Sequence, residues 1–327
     1  MPRLHLGTFP WRQAGIRGDE DRRGSSSAQA RRAERLGFGS FWLPESHFGS
    51  EARPAPLLEL AAAAAVTKRL RLGVTSYLLP IRHPLLVAEE VAVLDRLSGG
   101  RLILGLGRGF RPDLFAAFGV DRADKRELFE TAVETMLRAW RGDRVGGSAP
   151  GIVEIHPRPL QQPHPPLWVA AFGPKALRQA ARLGLPYLAS PLEPFDRLRR
   201  NIELHRAELL GANEARDRLA STELPVPILR TVFVSRSRGQ LEAAQRGLEP
   251  EIARWRRMLA ELGGDEERSS GSTVGEHALL GGPDDVAGKV ERYRRELGMT
   301  HLIVRSPRGP GAAAVEASLR ELPRLLV

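Results

Sequence analysis

The segment Ser98–Phe110, "SGGRLILGLGRGF", decides between two α/β architectures. It reads as a tight turn, a short apolar strand and three alternating glycines that end at Gly109. A dinucleotide-binding fold places G-x-G-x-x-G at the start of a helix, with an acidic residue about 20 positions later. Here the glycines follow G-x-G-x-G, and Pro112 keeps a helix from starting directly on the last of them. The segment therefore predicts a strand that ends in an arginine, Arg108, between two glycines.

The composition is that of one large globular domain. The chain has 327 residues, 42% hydrophobic and 27% charged, and an α/β barrel takes roughly 250 residues and more with insertions. The longest apolar stretch, Leu60–Val66, is too short to span a bilayer, and "MPRLHLGTFP" lacks the pattern of a signal peptide. We expect a single domain over residues 1–327, located in the cytoplasm and without a membrane partner.

Cysteine and charge exclude several kinds of site. The chain has no cysteine, which rules out disulfides, thiolate nucleophiles and cysteine-bound metals. No histidine pair has a metal-ligand spacing, so no metal is expected. The net charge of +10 comes from arginines spread along the whole chain, which disfavours nucleic acid as a partner. Codon preference or an acidic partner can both explain this charge.

Short apolar segments alternate with longer segments of helical periodicity, the pattern of repeated βα units around a parallel sheet. Eight segments are predicted strands: "RLHLGTF" from Arg3, "FGSFWL" from Phe38, "RLGVTS" from Arg71, "RLILGLG" from Arg101, "PLWVAA" from Pro166, "PYLAS" from Pro186, "PILRTVFVS" from Pro227 and "HLIVR" from His301. Eight βα units favour a closed (β/α)8 TIM barrel over a doubly wound sheet.

Helices and two insertions complete this prediction. Predicted helices are Ser25–Leu36, with serine hydroxyls as N-caps, Pro84–Leu97 and Asp121–Arg141. Insertions are predicted at Gly142–Pro166, before the fifth strand, and at Ser235–Gly282, between the seventh and eighth. Because loops on a barrel commonly carry function, we expect both insertions to shape the active-site mouth.

Three longer motifs identify a family. They are "AERLGFGSFWLPESHF" from Ala33, "LGVTSYLLPIRHPLLVAEEVAVLDRLSGGRLILGLGRGF" from Leu72 and "PLWVAAFGPKALRQAARLGLPYLAS" from Pro166. In order and spacing the chain resembles the flavin-dependent luciferase-like monooxygenases, the superfamily of bacterial luciferase. The last third of the chain matches only through "GGPDDVAGKVERYRRELGMTHLIV".

The resemblance implies where a flavin phosphate binds. The arginine of the glycine-arginine-glycine turn holds it, which here is Arg108, and a guanidinium between residues without side chains suits that task. The implied cofactor contacts around it are Gly107, Gly109 and Phe110. A second phosphate element is implied at the start of the helix after the fifth strand, through Phe172, Gly173, Pro174 and Ala176. Luciferase has polar side chains in this turn, so this chain offers mainly backbone groups.

The resemblance also implies positions for the flavin ring and the catalytic group. Thr75 and Ser76 match a place where the family often bends the chain against the ring, sometimes with a cis non-proline peptide; ordinary strand-end hydroxyls are an equal reading. Luciferase has two adjacent histidines where this chain has Ser46 and His47, and the first is catalytic there. Serine cannot replace imidazole as an acid or base near neutral pH. His47 is therefore the catalytic candidate, against a packing role under the flavin.

The implied activity is that of a two-component monooxygenase. Reduced FMN from a separate flavin reductase would react with O₂ to a C4a-peroxide, which oxygenates a small organic molecule while the site excludes water. Two alternatives remain: hydride transfer with the deazaflavin F420 on the same fold, and a non-catalytic flavin-binding subunit, suggested by Ser46. A homodimer is expected, and the substrate, which the sequence does not identify, can be tethered to a carrier protein.

Overall fold

The computed structural model describes residues 3–11, 20–50, 52–147, 151–191, 193–214, 224–261 and 273–327. In these residues the strands are β1 His5–Thr8, β2 Ser40–Leu43, β3 Arg71–Leu78, β4 Leu102–Gly107, β5 Leu167–Ala170, β6 Tyr187–Leu188, β7 Pro227–Val234, β8 Ala278–Gly281 and β9 His301–Arg305. The α-helices are α1 Glu20–Leu36, α2 Pro56–Val66, α3 Pro84–Leu97, α4 Pro112–Ala117, α5 Lys125–Arg141, α6 Pro174–Arg182, α7 Phe195–Glu214, α8 Arg238–Glu261, α9 Val274–His277, α10 Pro283–Leu297 and α11 Ala312–Leu326.

The chain divides into two compact units. The N-terminal unit comprises residues 24–31 and 41–170, and the C-terminal unit comprises residues 1–23, 32–40 and 171–327. Each unit contains parallel strands and the helices that connect them. The expectation of a single domain over residues 1–327 remains a prediction.

In the N-terminal unit the strand order is β2-β3-β4-β5. Strand β3 pairs with β4 from Leu72 opposite Leu102, and β4 pairs with β5 from Leu104 opposite Leu167, both in parallel. Helix α3 packs against α2 and α5. Parallel neighbours end at one edge of a sheet, so the carboxyl ends of β2, β3 and β4 place their following residues side by side.

The core of this unit requires one glycine. The Trp42 and Trp168 rings stack with centroids 5.1 Å apart, and both side chains are buried. A Cβ at Gly73 on β3 would overlap the six-membered ring of Trp42. The absence of a side chain there lets a large aromatic ring lie directly on the neighbouring strand, so Gly73 fixes how β2 and β3 pack.

In the C-terminal unit the strand order is β1-β9-β7-β8. Strand β7 pairs with β9 through residues 227–231 and with β8 through residues 231–234. Ala189, directly after β6, pairs in parallel with Ile228 on β7. All eight predicted strands are present, alternate with helices and confirm the α/β class. The sequence reading missed β8, a four-residue apolar run that it assigned to the insertion Ser235–Gly282.

Two helix predictions need correction, and one is confirmed. Helix Pro84–Leu97 has the predicted bounds. Helix α1 starts at Glu20 rather than Ser25, so the serines lie inside it instead of capping it. Ser26 Oγ instead donates to Glu59 Oε2 at 2.6 Å. The predicted helix Asp121–Arg141 is a 3₁₀ turn, Arg122–Asp124, followed by α5.

The insertion Gly142–Pro166 lies at the opposite end of the strands from the one expected. The backbone N–H of Gln161 donates to Asp95 Oδ2 at 2.8 Å, and its side-chain amide donates to the carbonyl of Leu102, the first residue of β4, at 2.8 Å. This position is roughly 16 Å from Gly107 at the other end of β4, given about 3.3 Å per residue. The prediction that this insertion shapes the mouth was therefore wrong: a segment that leads into a strand reaches its amino end.

The insertion Ser235–Gly282 is largely regular structure. It contains α8, α9 and β8, and it starts at the carboxyl end of β7. Its polar segment "GGDEERSSGSTVGE" falls mostly in residues 262–272, which lie outside the described part of the chain. Among the helices described, none combines the length and apolar character needed to cross a membrane.

Candidate functional site

The segments that follow β2, β3 and β4 form the candidate site of the N-terminal unit. Arg111, after β4, donates from Nη1 to the carbonyl of His47, after β2, at 3.2 Å. Leu78, the last residue of β3, donates its backbone N–H to Glu45 Oε2 at 2.9 Å. These contacts tie together the three segments that carry the predicted residues.

His47 is the best-placed imidazole of this site. Its Nε2 lies 2.7 Å from Glu45 Oε1, and the side chains of His47 and Glu45 are 8% and 0% exposed. The same carboxylate oxygen accepts a hydrogen bond from Arg82 Nη1 at 2.7 Å. The guanidinium of Arg82 in turn lies over the Tyr77 ring, 4.2 Å from its centroid. The imidazole is thus held by a carboxylate that is itself anchored.

Ser46 has a structural position beside this histidine. Its backbone forms an antiparallel bridge with Arg53, and its Oγ accepts a hydrogen bond from the backbone N–H of Arg53 at 3.0 Å. These contacts fix the loop that carries His47. The hydroxyl that stands where luciferase has its catalytic histidine is therefore engaged with the backbone.

The chain bends at Thr75 and Ser76, where the peptide bond is cis. The register between β3 and β4 shifts at this place. A Cβ on Gly107 would overlap the Oγ of Ser76, so only glycine allows the close approach of the two strands. Gly109 has φ +72°, in the left-handed region that favours glycine. Gly107 and Gly109, two of the three alternating glycines of the opening segment, are thus each required by a different feature of the backbone geometry.

Arg108 lies among other cations. Its Nη2 donates to the carbonyl of Ala170 at 2.9 Å, and its guanidinium carbon lies 5.4 Å from the centroid of the Phe129 ring. Burial, and secondarily the positive charge of Arg126, lowers the pKa of Arg108 to about 10. Burial also lowers the pKa of Lys125, with further contributions from the charges of Arg122, Arg126 and Arg108. Cations this close repel each other, so the cluster favours an anion.

Sequence reasoning missed Lys125 and Arg126, although a signal was available. Both residues start helix α5, where the helix dipole favours acidic side chains. A basic pair at that position is unfavourable toward the helix dipole, although the acidic Glu127 lies in the same turn. Glu45 and Arg82 were also missed, because a contact between Glu45 and a histidine two residues away depends on loop geometry.

Aromatic rings on the solvent side complete the site. The His47 ring lies 5.2 Å from the Phe118 ring in an edge-on arrangement and 5.8 Å from the Phe48 ring. Phe48 is 54% exposed and Phe118 is 42% exposed, and Phe110 is exposed as well. Phe48 also has φ +56°, which is uncommon for a bulky residue. The imidazole is therefore bordered by apolar rings that face solvent.

The turn before α6 belongs to the C-terminal unit. Gly173 is the N-cap of α6 and Pro174 its first residue, which has no N–H. The N–H of Ala176 donates to the carbonyl of Gly173 at 2.9 Å, so it is used within the helix. The carbonyl of Phe172 accepts a hydrogen bond from Arg197 Nη2 at 3.1 Å. The roles of these four residues toward a cofactor remain predictions.

The chain is similar to known proteins over most of its length. Residues 6–301 match the family model described as luciferase-like monooxygenase. The oxygenase component of flavin-dependent trigonelline monooxygenase from Acinetobacter baylyi is 30% identical over 65% of this chain and 59% of its own length. An F420-dependent glucose-6-phosphate dehydrogenase from Beutenbergia cavernae is 32% identical over 90% of both chains.

A solved structure agrees with these sequence matches. The monooxygenase RslO1 from Streptomyces bottropensis has a TM-score of 0.76 and 29% identity, over 99% of this chain and 98% of its own. The chain spans about half the length of several curated relatives, such as 47% of two Sinorhizobium fredii proteins. The likeness confirms the predicted α/β fold of the TIM-barrel class. The chain belongs to the luciferase-like monooxygenase family.

Proposed function

We propose that this chain is the oxygenase component of a two-component monooxygenase, which takes reduced FMN from a separate reductase and oxygenates a small organic substrate. The cationic cluster around Arg108, at the carboxyl end of β4, is the observation that carries this proposal. When bound, reduced FMN would supply the electrons that activate O₂. The relative that is named as an oxygenase component supports a reductase partner.

The residues present fit the phosphate of FMN. Arg108 offers a guanidinium for charge-assisted hydrogen bonds, and Lys125 and Arg126 add positive charge beside it. A dianion relieves the repulsion that, together with burial, lowers the pKa of Arg108. Gly107 and Gly109 flank the arginine, and Phe110 follows at the solvent side. We assign the phosphate to this cluster and keep the Gly173 turn as a second, separate proposal.

We assign the flavin ring to the bend at Thr75 and Ser76. The register between β3 and β4 shifts there, and Gly107, which has no side chain, approaches Ser76 closely. His47 is the group that we assign to proton transfer, because its ring is fixed and bordered by apolar side chains. Ser46 keeps the loop in place and carries no chemical step.

The exposed rings of Phe48 and Phe118 favour an apolar substrate. Aromatic side chains that remain in water beside a polar catalytic group bury apolar ligands favourably. Limonene, a cyclic hydrocarbon, is a suitable probe, and trigonelline, which is charged, is the contrasting one. With reduced FMN and O₂, we expect oxygenated product from the apolar probe and mainly hydrogen peroxide with the charged one.

Hydride transfer with F420 is the second candidate, because a relative named as F420-dependent covers 90% of this chain. Equilibrium dialysis with FMN and F420 in equal amounts, read by absorbance, separates the two. We expect an excess of FMN on the protein side and equal concentrations of F420 on both sides of the membrane. Displacement of FMN by F420 would favour hydride transfer. FMN binding without product from any probe would favour a non-catalytic flavin-binding subunit.

We also propose a homodimer in the cytoplasm. Helices α2 and α3 pack against each other, and both carry exposed apolar side chains: Leu58, Val66, Leu86, Val93 and Leu97. Leu58 is 74% exposed and Leu97 is 65% exposed. Apolar patches of this kind on a single chain indicate a protein interface. Light scattering of the parent should give twice the chain mass, and the double variant Leu58→Glu, Leu97→Glu should be monomeric.

A further inference from the structure

The contacts of Glu45 specify which nitrogen of His47 carries hydrogen. Oε2 accepts the backbone N–H of Leu78 at 2.9 Å, and Oε1 accepts Nη1 of Arg82 at 2.7 Å. Both donors keep their hydrogen, because an amide N–H and a guanidinium act only as donors. The carboxylate is therefore an acceptor toward all its partners. The hydrogen in the 2.7 Å contact with His47 then belongs to Nε2.

The other ring nitrogen is left for the site. With hydrogen on Nε2, a neutral imidazole has its lone pair on Nδ1. In the part of the chain that the structure describes, the ring's hydrogen bond is the one to Glu45. The Phe118 and Phe48 rings border the imidazole, so it cannot turn without moving them.

Arg82 holds Glu45 in turn. Besides the bond to Oε1, its Nη1 donates to the carbonyl of Leu78 at 3.0 Å, and its guanidinium lies over the Tyr77 ring. The Tyr77 hydroxyl donates to Glu90 Oε2 at 3.1 Å. A chain of contacts from α3 to the site thus fixes the carboxylate before any ligand enters.

We propose that Glu45, fixed by Arg82, is a positioning residue that holds His47 with hydrogen on Nε2 and presents Nδ1 to the reacting molecule. A proton that passes to Nδ1 leaves its bonding pair on the donor atom, and the imidazolium formed lies against the Glu45 carboxylate. This inference rests on the proposed function for the use of His47, but the state of its ring can be measured without any activity.

Nitrogen-15 NMR of histidine-labelled protein at neutral pH tests this inference. An imidazole N–H is visible when a hydrogen bond shields it from exchange with water, and His47→Ala identifies the signal among the eight histidines. We expect one slowly exchanging N–H on Nε2 of His47 in the parent. A hydrogen on Nδ1 instead, or no protected N–H on this ring, would overturn the proposal, and this parent measurement needs no variant to fold.

Variants assign the cause of the protection. Glu45→Ala should abolish the protected signal, and a signal that survives in that variant would contradict the role of Glu45. Glu251→Gln is the matched control, because Glu251 is also a largely buried carboxylate paired with an arginine, Arg305, and the His47 signal should persist. FMN binding by the same proteins, measured separately, reports on the proposed function. Loss of FMN binding with the signal intact therefore rejects the cofactor and leaves the positioning role standing.

Discussion

Two carboxylates, Glu45 in the N-terminal unit and Glu193 in the C-terminal unit, are both withdrawn from water, but their partners differ. Glu193 accepts hydrogen bonds from the Tyr187 hydroxyl at 2.6 Å, the Ser190 N–H at 2.8 Å and the Asn201 amide at 2.6 Å. These partners are themselves buried. Glu45 contacts an imidazole that is bordered by solvent-exposed rings. Burial of a carboxylate therefore does not by itself mark a site. We propose a functional role for Glu45 because its partner, His47, borders solvent-exposed rings, whereas the partners of Glu193 are buried.

The surroundings of Glu193 are those of a structural centre. Burial raises its pKa, opposed by the hydrogen bonds and by the nearby charge of Arg230. Arg230, fully buried on β7, donates to the carbonyl of Ser190 at 2.7 Å and to the carbonyl of Glu193. Burial likewise raises the pKa of Tyr187. These contacts tie the segment after β6 to β7, and they include no group that faces solvent.

The largest expected effect is on activity, and it concerns the surroundings of Glu45 rather than those of Glu193. His47→Ala removes the proposed acid–base group and should lower the yield of oxygenated product by about 10²–10⁴-fold. Reduced FMN should then decay to hydrogen peroxide, while FMN binding and thermal stability stay close to the parent. A loss below tenfold in the limonene assay would show that His47 has a packing role and does not transfer the proton.

The second effect is on stability. Glu193→Ala leaves three buried donors without their acceptor and should cost about 3 kcal/mol in the free energy of unfolding. For a chain of this size that lowers Tm by roughly 6 °C. Glu193→Gln keeps the volume and one acceptor, so its loss should be smaller. If scanning calorimetry finds the alanine variant as stable as the parent, Glu193 is not structural.

A smaller effect concerns pH and the C-terminal unit. Burial lowers the pKa of His205, whose ring lies 2.9 Å from the carbonyl of Leu185, and the charge of Arg206 adds to this. The unfolded chain takes up a proton as pH falls through about 6.5, while folded His205 stays neutral to lower pH. Its contribution to stability is therefore present above pH 6.5 and lost as pH falls through the lowered pKa.

Denaturant unfolding between pH 7.5 and 5 measures this contribution. The slope from one such group is at most about 1.4 kcal/mol per pH unit. His205→Gln, which cannot take up the proton, should show a shallower slope than the parent. Equal slopes in the two proteins would assign the pH dependence to other groups.

The smallest expected effect is that of salt. Pairs such as Arg238–Glu242 and Arg178–Glu208 lie on the surface, and exposed pairs contribute between zero and about 1 kcal/mol. Stability and turnover should therefore change little as salt rises. A steep fall in turnover with unchanged FMN binding would instead indicate an anionic or carrier-tethered substrate.

The sequence predicted those features of the fold that depend on strand periodicity and on glycine patterns. It identified eight strands and the Pro84–Leu97 helix. It also identified the site segments after β2, β3 and β4, because parallel strands end at a common edge. Strand β8 was missed, because four apolar residues after a long polar segment carry no period. The side of the Gly142–Pro166 insertion was predicted wrongly, although the strand order alone places it: a segment that precedes a parallel strand reaches the amino end of that strand.

Other features depend on geometry that no local pattern encodes. The serines of α1 resemble an N-cap, but the preceding charged residues continue the helix to Glu20. The contact between Glu45 and His47 depends on the loop after β2, and Arg82 reaches Glu45 from 37 positions away. Long-range polar contacts of this kind follow from the fold and cannot be predicted from the sequence alone.

The central claim is that Arg108 and its neighbouring cations hold the phosphate of FMN. The most direct test compares calorimetric binding of FMN and of riboflavin, which lacks the phosphate, to the parent, Arg108→Ala and Arg138→Ala. Arg138 is the matched control, because it is exposed and paired with Asp143. We predict that Arg108→Ala weakens FMN binding by about 2 kcal/mol, or about 30-fold, and leaves riboflavin binding unchanged. The control variant should bind both ligands like the parent. Equal FMN affinity in the parent and Arg108→Ala would contradict the account.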